Sequence, residues 1–307
     1  MYDRSLFSIA FYNTENFFDT RDDPFTQDDF YTPGGVFHWT LKRYFNKTRK
    51  IARVIARIGS KEKTNPPVIV GLAEIENKSV LNDLIKHRTI KRFGYRFIHF
   101  DSPDRRGIDT ALLYRPQFVE ILKARPVPVY LTGKLGESIP TRDFLHVKLR
   151  IKGQTLNVVI VHWPSRREGF KQSHPKRMQA ARQLLELIRQ IRFENPSNRI
   201  LIMGDFNADP EFESVQLLTR EGLINLAAKL QIKRHGTLIH HRKWQLFDQI
   251  IISPGLQKKI SRQKIYKPFW LKVYRGIEKG FPFRTFKGKR YNGGYSDHFP
   301  VYVLYRL

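Results

Sequence analysis

Cysteine is absent from this 307-residue sequence, which excludes disulfide bonds, thiolate catalysis and cysteine-ligated metal sites. Long apolar runs are absent as well, since no stretch reaches the roughly 20 residues that a membrane-spanning helix needs. The first residues, MYDRSLFSIAFYN, lack the basic region followed by an apolar stretch that is typical of a signal peptide. We therefore expect a soluble protein, with a cytoplasmic location favoured over secretion after removal of a signal peptide.

Acidic residues are scarce relative to basic ones: 28 Asp and Glu stand against 55 Lys and Arg, which gives a formal net charge of +27. The sequence pI of about 10.3 implies a strongly positive field around the folded chain at neutral pH. Such a field attracts polyanions, so nucleic acid is the first expected partner and an anionic membrane surface the second. The alternative is that the charge serves only solubility.

Internal repeats and low-complexity tracts are also missing, and no Pro-rich or Gly-rich linker divides the chain into halves. Hydrophobic residues make up 41% of the sequence and aromatic residues 13%, which is enough for a substantial core. We therefore expect a single domain spanning residues 1–307, and a monomer.

Short apolar runs alternate with amphipathic stretches along the chain. Apolar side chains spaced by three and four residues predict helices from position 40, around 80–85, across 178–188 and around 215–218. Apolar runs predict strands at 6–12, 68–73, 95–100, 110–114, 144–151, 156–161, 200–203, 247–252 and 301–305. Lys152-Gly153, between two of these strands, is typical of a hairpin. Interleaved helices and hairpins together predict an α/β fold, a four-layer sandwich of two mixed β-sheets packed face to face with helices outside.

The segment LIMGDFNADP, residues 201–210, raises the question of why a buried strand ends on polar side chains. Asp205 and Asn207 follow the apolar run directly, with Gly204 as the expected hinge. One interpretation is a strand that runs into an Asx turn, since Gly, Asp and Asn favour turns. The other is a functional site. Polar residues recur at the other strand ends, namely Asn13 with Glu15, Glu74, His162, Asp248 and the pair Asp297-His298.

If these strand ends lie along one edge of the packed sheets, they form a single cleft rich in carboxylate, amide and imidazole groups. Oxygen ligands suit Mg²⁺, which is usually held by one or two carboxylates together with water and a phosphate oxygen. Zinc would require clustered His or Cys, and neither His162 nor His298 has such a neighbour. The sequence therefore predicts a Mg²⁺ site, with Mn²⁺ or Ca²⁺ as substitutes. A second metal, Ca²⁺, is considered for the acidic loop at 19–29, for which a solvated loop is the simpler interpretation.

Seven segments together resemble the endonuclease/exonuclease/phosphatase family, the deoxyribonuclease I-like family. In chain order they are YNTEN, GLAEIEN, GIDTALLYR, VHWPSR, GDFN, FDQI and SDHFPV. Each motif alone is weak, but their order and their spread from near the N-terminus to near the C-terminus make the resemblance specific. The resemblance implies the same four-layer sandwich, carrying a metal-dependent phosphoesterase site.

The resemblance implies a metal-binding group of residues in the cleft. Glu74 would be the principal Mg²⁺ ligand. Further ligands, direct or through water, would be Asn13, Glu15 and Asp297. Asn13 and Arg142, which lies in TRDFLHV, would also contact the substrate phosphate.

The resemblance also implies a set of catalytic residues. Asp205 would activate or orient the attacking water, and Asn207 would fix its geometry. His298, oriented by Asp248, would stabilise charge on the phosphate or donate a proton to the leaving oxygen. His162 would hydrogen-bond the phosphate from another side. These residue types suit the reaction because a phosphodiester repels an anionic nucleophile, so its oxygens must be neutralised while a base takes the proton of water.

The stretch at 258–290 bears on the substrate, because Lys and Arg crowd it and Glu278 is its only acid. Basic side chains can follow a phosphate backbone while exposed aromatic rings stack on bases; the alternative is that most of the rings belong to the core. We expect a Mg²⁺-dependent phosphodiester hydrolase, a nuclease acting on DNA or RNA. The alternatives are a phosphatase, a phospholipid or inositol-phosphate phosphoesterase of the same fold, and a non-catalytic nucleic-acid-binding module. The aromatic residues of the stretch are Tyr266, Phe269, Trp270, Tyr274, Phe281, Phe283 and Phe286.

Overall fold

Two six-stranded β-sheets, stacked face to face, form the centre of the computed structural model, which describes residues 6–167, 169–232, 236–240 and 242–306. The helices are α1 (Leu41–Arg57), α2 (Lys78–Lys86), α3 (Phe170–Glu194), α4 (Glu213–Arg220) and α5 (Ala228–Ile232). The strands are β1 (Leu6–Phe17), β2 (Ile69–Ile75), β3 (Arg96–His99), β4 (Asp109–Tyr114), β5 (Val119–Val127), β6 (Leu131–Thr132), β7 (Ser138–Ile139), β8 (Phe144–Ile151), β9 (Gln154–His162), β10 (Ile200–Asp205), β11 (Ile224–Asn225), β12 (Leu238–His240), β13 (Lys243–Gln245), β14 (Asp248–Ile252), β15 (Lys264–Ile265), β16 (Phe286–Lys287), β17 (Arg290–Tyr291) and β18 (Val301–Arg306).

Both large sheets mix parallel and antiparallel pairs. The first sheet has the strand order β15-β18-β1-β2-β4-β3, and the second has the order β11-β14-β10-β9-β8-β5. The parallel pair is β1 with β2 in the first sheet and β9 with β10 in the second. The other pairings in the two sheets are antiparallel. The predicted mixed sheets are therefore confirmed.

Three hydrophobic clusters separate four layers. Successive side chains of a strand point to opposite faces of a sheet, so Ile69 of β2 enters the cluster between the sheets, with Met203 of β10, while Val70 enters the cluster beneath α1 and α2. The third cluster lies on the outer face of the second sheet, where α3 contributes Leu184. This layering confirms the predicted sandwich with helices outside.

The predicted helices and strands are present, most with ends within a few residues of the expected positions. The largest shift is in α3, which begins before the predicted stretch because its first turns are polar and include Pro175. Sequence reasoning misses β5, in which Glu120, Lys123 and Arg125 interrupt the apolar pattern. An edge strand pairs on one side only and tolerates such polar residues and a proline, here Pro126. None of the described helices combines the length and apolarity of a membrane span.

Gly204 lies inside β10, where it pairs with both neighbouring strands, and not at a hinge. A Cβ built at this position would lie 2.1 Å from the carbonyl oxygen of Val161 on β9. The expectation of a hinge is therefore wrong, and the glycine is needed for the close approach of the two strands. The chain turns after Asp205, whose carboxylate accepts a hydrogen bond from the Asn207 amide as in an Asx turn.

Internal hydrogen bonds organise the acidic loop at 19–29. The buried Asp28 carboxylate accepts hydrogen bonds from the Asp23 amide and the Thr26 hydroxyl, and the Asp19 amide donates to Glu76. Burial raises the pKa of Glu76 to about 8, and neighbouring acids add to the effect. Among the described residues, no carboxylate of this loop belongs to a group of three that could hold a metal. The solvated loop stays a prediction.

Candidate active site

Polar side chains reach one edge of the sandwich because both parallel strand pairs end there. β1 and β2 are parallel and carry Asn13 and Glu74 toward their carboxyl ends. β9 and β10 are also parallel and end at His162 and Asp205, which are paired in register. Carboxyl ends of parallel strands meet at the same edge of a sheet, which is a usual location for a binding crevice.

Two antiparallel strands add residues from their amino ends. β14 begins at Asp248, which pairs in register with Asp205. β18 begins at Val301, directly after the pair Asp297-His298, and runs antiparallel to β1. An antiparallel strand starts at the edge where its neighbour ends. The structure therefore brings chain positions from 13 to 298 to one edge.

Irregular backbone directs some of these side chains out of the regular pleat. Glu74 has a φ of 62°, and the pairing of β2 with β4 shifts register between Ala73 and Ile75. Glu15 and Asn207 have φ values of 55° and 47°. Left-handed backbone costs an L-residue roughly 1–2 kcal/mol, and a bulge re-aims the side chain at its centre. The fold therefore accepts local strain where Glu74 and Asn207 face the cleft.

A cavity of about 590 Å³ opens at this edge of the sandwich. Three arginines that sequence reasoning did not single out line it, namely Arg106, Arg166 and Arg167. Acidic and basic groups therefore share one cavity. Of the residues proposed from the sequence, the cavity is lined by Glu74, His162, Asp205, Asn207, Asp297 and His298.

His298 lies between two carboxylates. Its Nδ1 is 2.8 Å from Oδ2 of Asp248, and its Nε2 is 3.9 Å from Oδ2 of Asp205. Burial lowers the pKa of His298, but the charge and hydrogen bond of Asp248 outweigh burial and raise it well above its usual value. Burial raises the pKa of Asp205 to about 6. At neutral pH the site therefore holds an imidazolium beside an ionised carboxylate.

Two asparagines hold the Asp205 carboxylate in place. Nδ2 of Asn13 donates to Oδ2 at 3.0 Å, and the backbone amide of Asn207 donates to Oδ1 at 2.8 Å. The Asn207 side chain donates to the carbonyl oxygen of Trp163 at 3.0 Å, and Oδ1 of Asn13 accepts from the Glu15 amide at 3.0 Å. Asn13 therefore orients a carboxylate in this structure, whereas its roles toward metal and phosphate stay predictions.

His162 faces Glu74 and Asp205 with the same nitrogen. Its Nε2 lies 3.9 Å from Oε1 of Glu74 and 3.7 Å from Oδ2 of Asp205. Burial lowers the pKa of His162 well below its usual value, and the Arg142 charge adds to the effect. Burial raises the pKa of Glu74, but the Arg106 guanidinium at 3.9 Å reverses the shift and lowers the pKa to about 2. At neutral pH a neutral imidazole thus lies beside an ionised glutamate.

The resemblance implies Glu74 and Asp297 as ligands of a divalent cation, and this role stays a prediction. Both carboxylates line the cavity, both have a lowered pKa, and the charge of Asp297 opposes ionisation of Glu74. A cation near both would remove this repulsion with the oxygen ligands that Mg²⁺ prefers. Among the described residues of this edge, the group whose ligand atoms lie close enough together to hold an ion is Asp205, Asp248 and His298. The proton that Asp248 keeps on His298 would compete with such an ion, and the role of Glu74 as principal ligand stays a prediction.

Glu15 does not line the cavity. Its Oε2 accepts a hydrogen bond from the Thr285 amide at 2.6 Å and lies 3.8 Å from Nζ of Lys47, while its Oε1 accepts from Arg284 at 3.3 Å. Burial raises the pKa of Glu15, and the charge of Asp297 adds to the effect. The carboxylate therefore anchors the segment before β16, and its predicted role as a metal ligand stays untested.

Arg142 is likewise outside this cavity. Its Nη1 donates to Oδ2 of Asp104 at 2.7 Å, and its other nitrogens donate to the carbonyl oxygens of His162 and Trp163 at 3.3 and 3.4 Å. The guanidinium therefore supports the turn that follows β9. Its contact with phosphate stays a prediction, and Arg106 is better placed to make one.

Of the three arginines of the cavity, Arg166 ends one of the quoted motifs, whereas Arg106 and Arg167 flank motifs. Arg106 precedes GIDTALLYR and donates to Oδ1 of Asn16 at 2.6 Å. Arg166 ends VHWPSR and donates to the carbonyl oxygen of Asn207 at 2.9 Å, and Arg167 follows it in sequence. Adjacency to the motifs was the available signal. This signal is weak, because in a chain with 55 Lys and Arg many basic residues lie next to a motif by chance.

A sandwich of two mixed sheets with helices outside is the deoxyribonuclease I-like fold. The profile of the Endonuclease/Exonuclease/phosphatase family matches residues 8–306. The chain therefore belongs to this family of hydrolases. Comparison with curated protein sequences gives no match.

Solved structures share the fold at low sequence identity. A Bacteroides vulgatus endonuclease/exonuclease/phosphatase is 17% identical, with a TM-score of 0.61 over 99% of this chain and all of its own. A Bacteroides thetaiotaomicron mannosyl-6-phosphatase is 17% identical, with a TM-score of 0.59 over 97% of this chain and 98% of its own. D. rerio TDP2 in complex with a single-strand DNA product is 17% identical, with a TM-score of 0.58 over 99% of this chain and all of its own. At these identities the likeness concerns the fold.

Proposed function

We propose that the chain is a Mg²⁺-dependent phosphodiesterase that cleaves nucleic acid. The observation that carries this proposal is the arrangement of Asp205, His298 and Asp248 at a cavity that Glu74 and three arginines line. A carboxylate base, an imidazolium and a cation-binding acid are the groups that hydrolysis of a phosphate ester requires. A binding module requires none of them, which disfavours the non-catalytic alternative.

Asp205 is the general base in this proposal. Its pKa of about 6 leaves it ionised at neutral pH and still basic enough to take a proton from water. Asn13 and Asn207 each donate to a different oxygen of the carboxylate and so fix the direction of its lone pairs. Truncating a side chain of this kind removes roughly 10²- to 10⁴-fold in rate.

His298 acts on the phosphate as a proton donor or as a fixed positive charge. Asp248 keeps the ring protonated and bonds Nδ1, which leaves Nε2 directed toward the cavity side on which Asp205 lies. His162 is neutral and offers a hydrogen bond to a phosphate oxygen. Glu74 would hold Mg²⁺ with help from Asp297, and the bound ion would neutralise charge on the phosphate oxygens.

A second cavity, of about 550 Å³, favours a long polyanionic substrate. Asp297 lines this cavity as well as the first. Its walls include Arg275, Lys287 and Arg290, together with apolar surface from Phe281. A nucleic-acid strand could therefore pass from the catalytic cavity into a basic one, and the net charge of +27 supports such binding. A small phosphoester would leave the second cavity unused.

The aromatic rings of the 258–290 stretch divide between core and surface. Tyr266 and Phe286 are buried, whereas Phe269 and Tyr274 are 84% and 74% exposed. Burial therefore assigns Tyr266 and Phe286 to the core, and the other rings of the stretch are half-buried. Stacking on bases is proposed only for Phe269 and Tyr274.

The alternative is a phosphatase that acts on a small phosphoester or on a phospholipid headgroup. Arg106 and Arg167 favour a phosphatase, because a terminal phosphate carries more negative charge than a diester and is bound by more cationic groups. A membrane substrate would use the positive surface, which attracts anionic lipid. The proposal and this alternative differ in substrate, whereas the catalytic groups are the same.

A substrate panel separates these functions. The purified chain should nick supercoiled plasmid with Mg²⁺ and stop when a chelator is added, while a chromogenic phosphomonoester should be a poor substrate. Asp205→Ala and His298→Ala should abolish nicking in a folded protein. His146→Gln, which alters a buried histidine on β8 outside the cavity, is the matched control and should leave nicking intact. Faster turnover of the monoester than of any nucleic acid would favour the phosphatase.

A further inference from the structure

His99, the last residue of β3, is a buried histidine with no hydrogen-bond partner. Its side chain is fully buried, and neither ring nitrogen has a hydrogen-bond partner among the residues that the structure describes. Burial lowers the pKa of His99 to about 4, so the ring is neutral at physiological pH and one nitrogen carries an unshared electron pair. Buried polar atoms normally have a hydrogen-bond partner, so the unpaired nitrogens of His99 require an explanation.

Two carboxylates face this imidazole. Oδ1 of Asp101 lies 3.7 Å from Nδ1 of His99, which is too long for a hydrogen bond. One ligand atom from each of His99, Asp101 and Asp109 can be chosen so that all three lie within 4.8 Å of one another. A metal with bonds of about 2.1 Å holds its ligands within about 4.2 Å of one another. Asp101 is largely exposed and free to rotate into this range, while Asp109 is buried.

We propose that His99, Asp101 and Asp109 form a second divalent-cation site, separate from the catalytic cavity, that takes a first-row transition ion such as Zn²⁺ or Mn²⁺. An imidazole ligand beside two carboxylates suits these ions, whereas Ca²⁺ and Mg²⁺ prefer oxygen ligands alone. The exposure of Asp101 leaves room for water to complete the coordination. The site goes beyond the proposed hydrolase function and does not depend on it.

The site would close a loop that supports the catalytic cavity. His99 and Asp109 stand at the two ends of the segment 100–108. Asp109 accepts hydrogen bonds from the Ser102 amide and hydroxyl, and the Ser102 hydroxyl accepts one from the Asp104 amide at 3.4 Å. The same segment carries Arg106, which contacts Glu74 in the cavity. An ion held at the base of this loop would therefore act as a positioning element for Arg106.

Metal stoichiometry tests the proposal without an activity readout. The full-length chain is freed of metal with a chelator, and Zn²⁺ and Mn²⁺ are then titrated in separate equilibrium-dialysis series. Glu74→Gln provides a background in which the catalytic site is impaired. In this background we expect one equivalent of Zn²⁺ to remain bound and to raise the melting temperature by a few degrees when in large excess over its dissociation constant.

Substitutions in that background assign the ion to its ligands. His99→Ala and Asp101→Asn should each weaken Zn²⁺ binding by at least about tenfold. His146→Gln, at a buried histidine that bonds Asn157, is the matched control and should bind like the background. Asp101→Asn keeps the test decisive if His99→Ala fails to fold, because Asp101 is exposed. Undiminished binding in the folded Asp101→Asn protein, or no bound Zn²⁺ and Mn²⁺ in the background, would overturn the proposal.

Discussion

The ion pair between Asp248 and His298 can be probed by converting the Asp248 carboxylate into a neutral carboxamide. Asp248→Asn keeps the shape of the side chain, and its amide oxygen can still accept the hydrogen bond from Nδ1 of His298. The negative charge alone is lost. Because both side chains are buried, little solvent is available to replace that charge. We expect the substitution to change the protonation of His298 more than its position.

The geometry sets the scale of the effect. The two atoms lie 2.8 Å apart, and at an effective dielectric constant of about 20 two unit charges at this distance interact by about 6 kcal/mol, which is an upper bound because the imidazolium charge is spread over the ring. Burial opposes protonation of His298, so its pKa should fall when the Asp248 charge is removed. Loss of the imidazolium should lower kcat by roughly 10²- to 10⁴-fold at neutral pH.

The assay is the pH profile of Mg²⁺-dependent plasmid nicking, with circular dichroism to confirm folding. In Asp248→Asn the alkaline limb should move to lower pH, because His298 loses its proton earlier. Asp28→Asn removes a buried carboxylate in the 19–29 loop and is the matched control, for which no shift is expected. A folded Asp248→Asn protein with the wild-type rate and the wild-type alkaline limb would refute this reasoning.

Three further predictions concern metal, stability and substrate. Glu74→Gln should weaken Mg²⁺ activation by at least about tenfold, read as the Mg²⁺ concentration for half-maximal nicking, and an unchanged requirement would remove Glu74 as the ligand. Burial raises the pKa of Asp205 in the folded protein from 3.8 to about 6, so the stability that its protonated form contributes is lost as pH rises from about 4 through 6. Asp205→Asn should therefore unfold in urea with a free energy about 1–3 kcal/mol higher than the wild type at pH 8. Equal free energies of unfolding at pH 8 would contradict the raised pKa. Lys287→Glu with Arg290→Glu should raise KM for plasmid and flatten its salt dependence, whereas Lys123→Glu on the edge strand β5 should not; equal effects of the two changes would argue against the second cavity as a nucleic-acid path.

The sequence was informative wherever a regular pattern ended on a polar residue. Apolar runs predicted the strands, and Glu74, His162 and Asp205 follow from the residue types at their ends. Their meeting at one edge requires the order and direction of strands in the sheets, which periodicity does not contain. The seven motifs supplied that information through the family resemblance, and the match over residues 8–306 confirmed the family.

Other parts of the site depend on contacts between side chains that are far apart in sequence, and such contacts cannot be predicted from the pattern of residue types along the chain. Glu15 belongs to a motif, yet its left-handed backbone and the Thr285 amide direct it away from the cavity. Arg142 carries a charge that suits phosphate, but Asp104 already pairs with it. Arg106 enters the cavity on a loop of no regular period. Side-chain partners far apart in sequence therefore help to place these charged residues, and the predicted ligand roles of Glu15 and Arg142 stay untested.

The proposed mechanism gives Asp205 and His298 opposite roles, and the electrostatic surroundings of the two groups are compatible with both roles. Burial disfavours the charged form of both side chains. The negative charge of Asp248 nevertheless keeps His298 protonated, and hydrogen bonds from Asn13 and Asn207 favour the ionised form of Asp205. Each charge then also stabilises the other across 3.9 Å. In the proposed mechanism these two groups then serve as base and acid near neutral pH.

The central claim is that the strand-end residues from Asn13 to His298 form one metal-dependent hydrolytic site. Single-turnover cleavage of supercoiled plasmid by the wild type and by Asp205→Asn, each with Mg²⁺ and with a chelator, tests it most directly. We expect cleavage only by the wild type with Mg²⁺, at least about 10²-fold faster than in the other three reactions. Equal cleavage with and without the chelator, or by the folded Asp205→Asn protein, would contradict it.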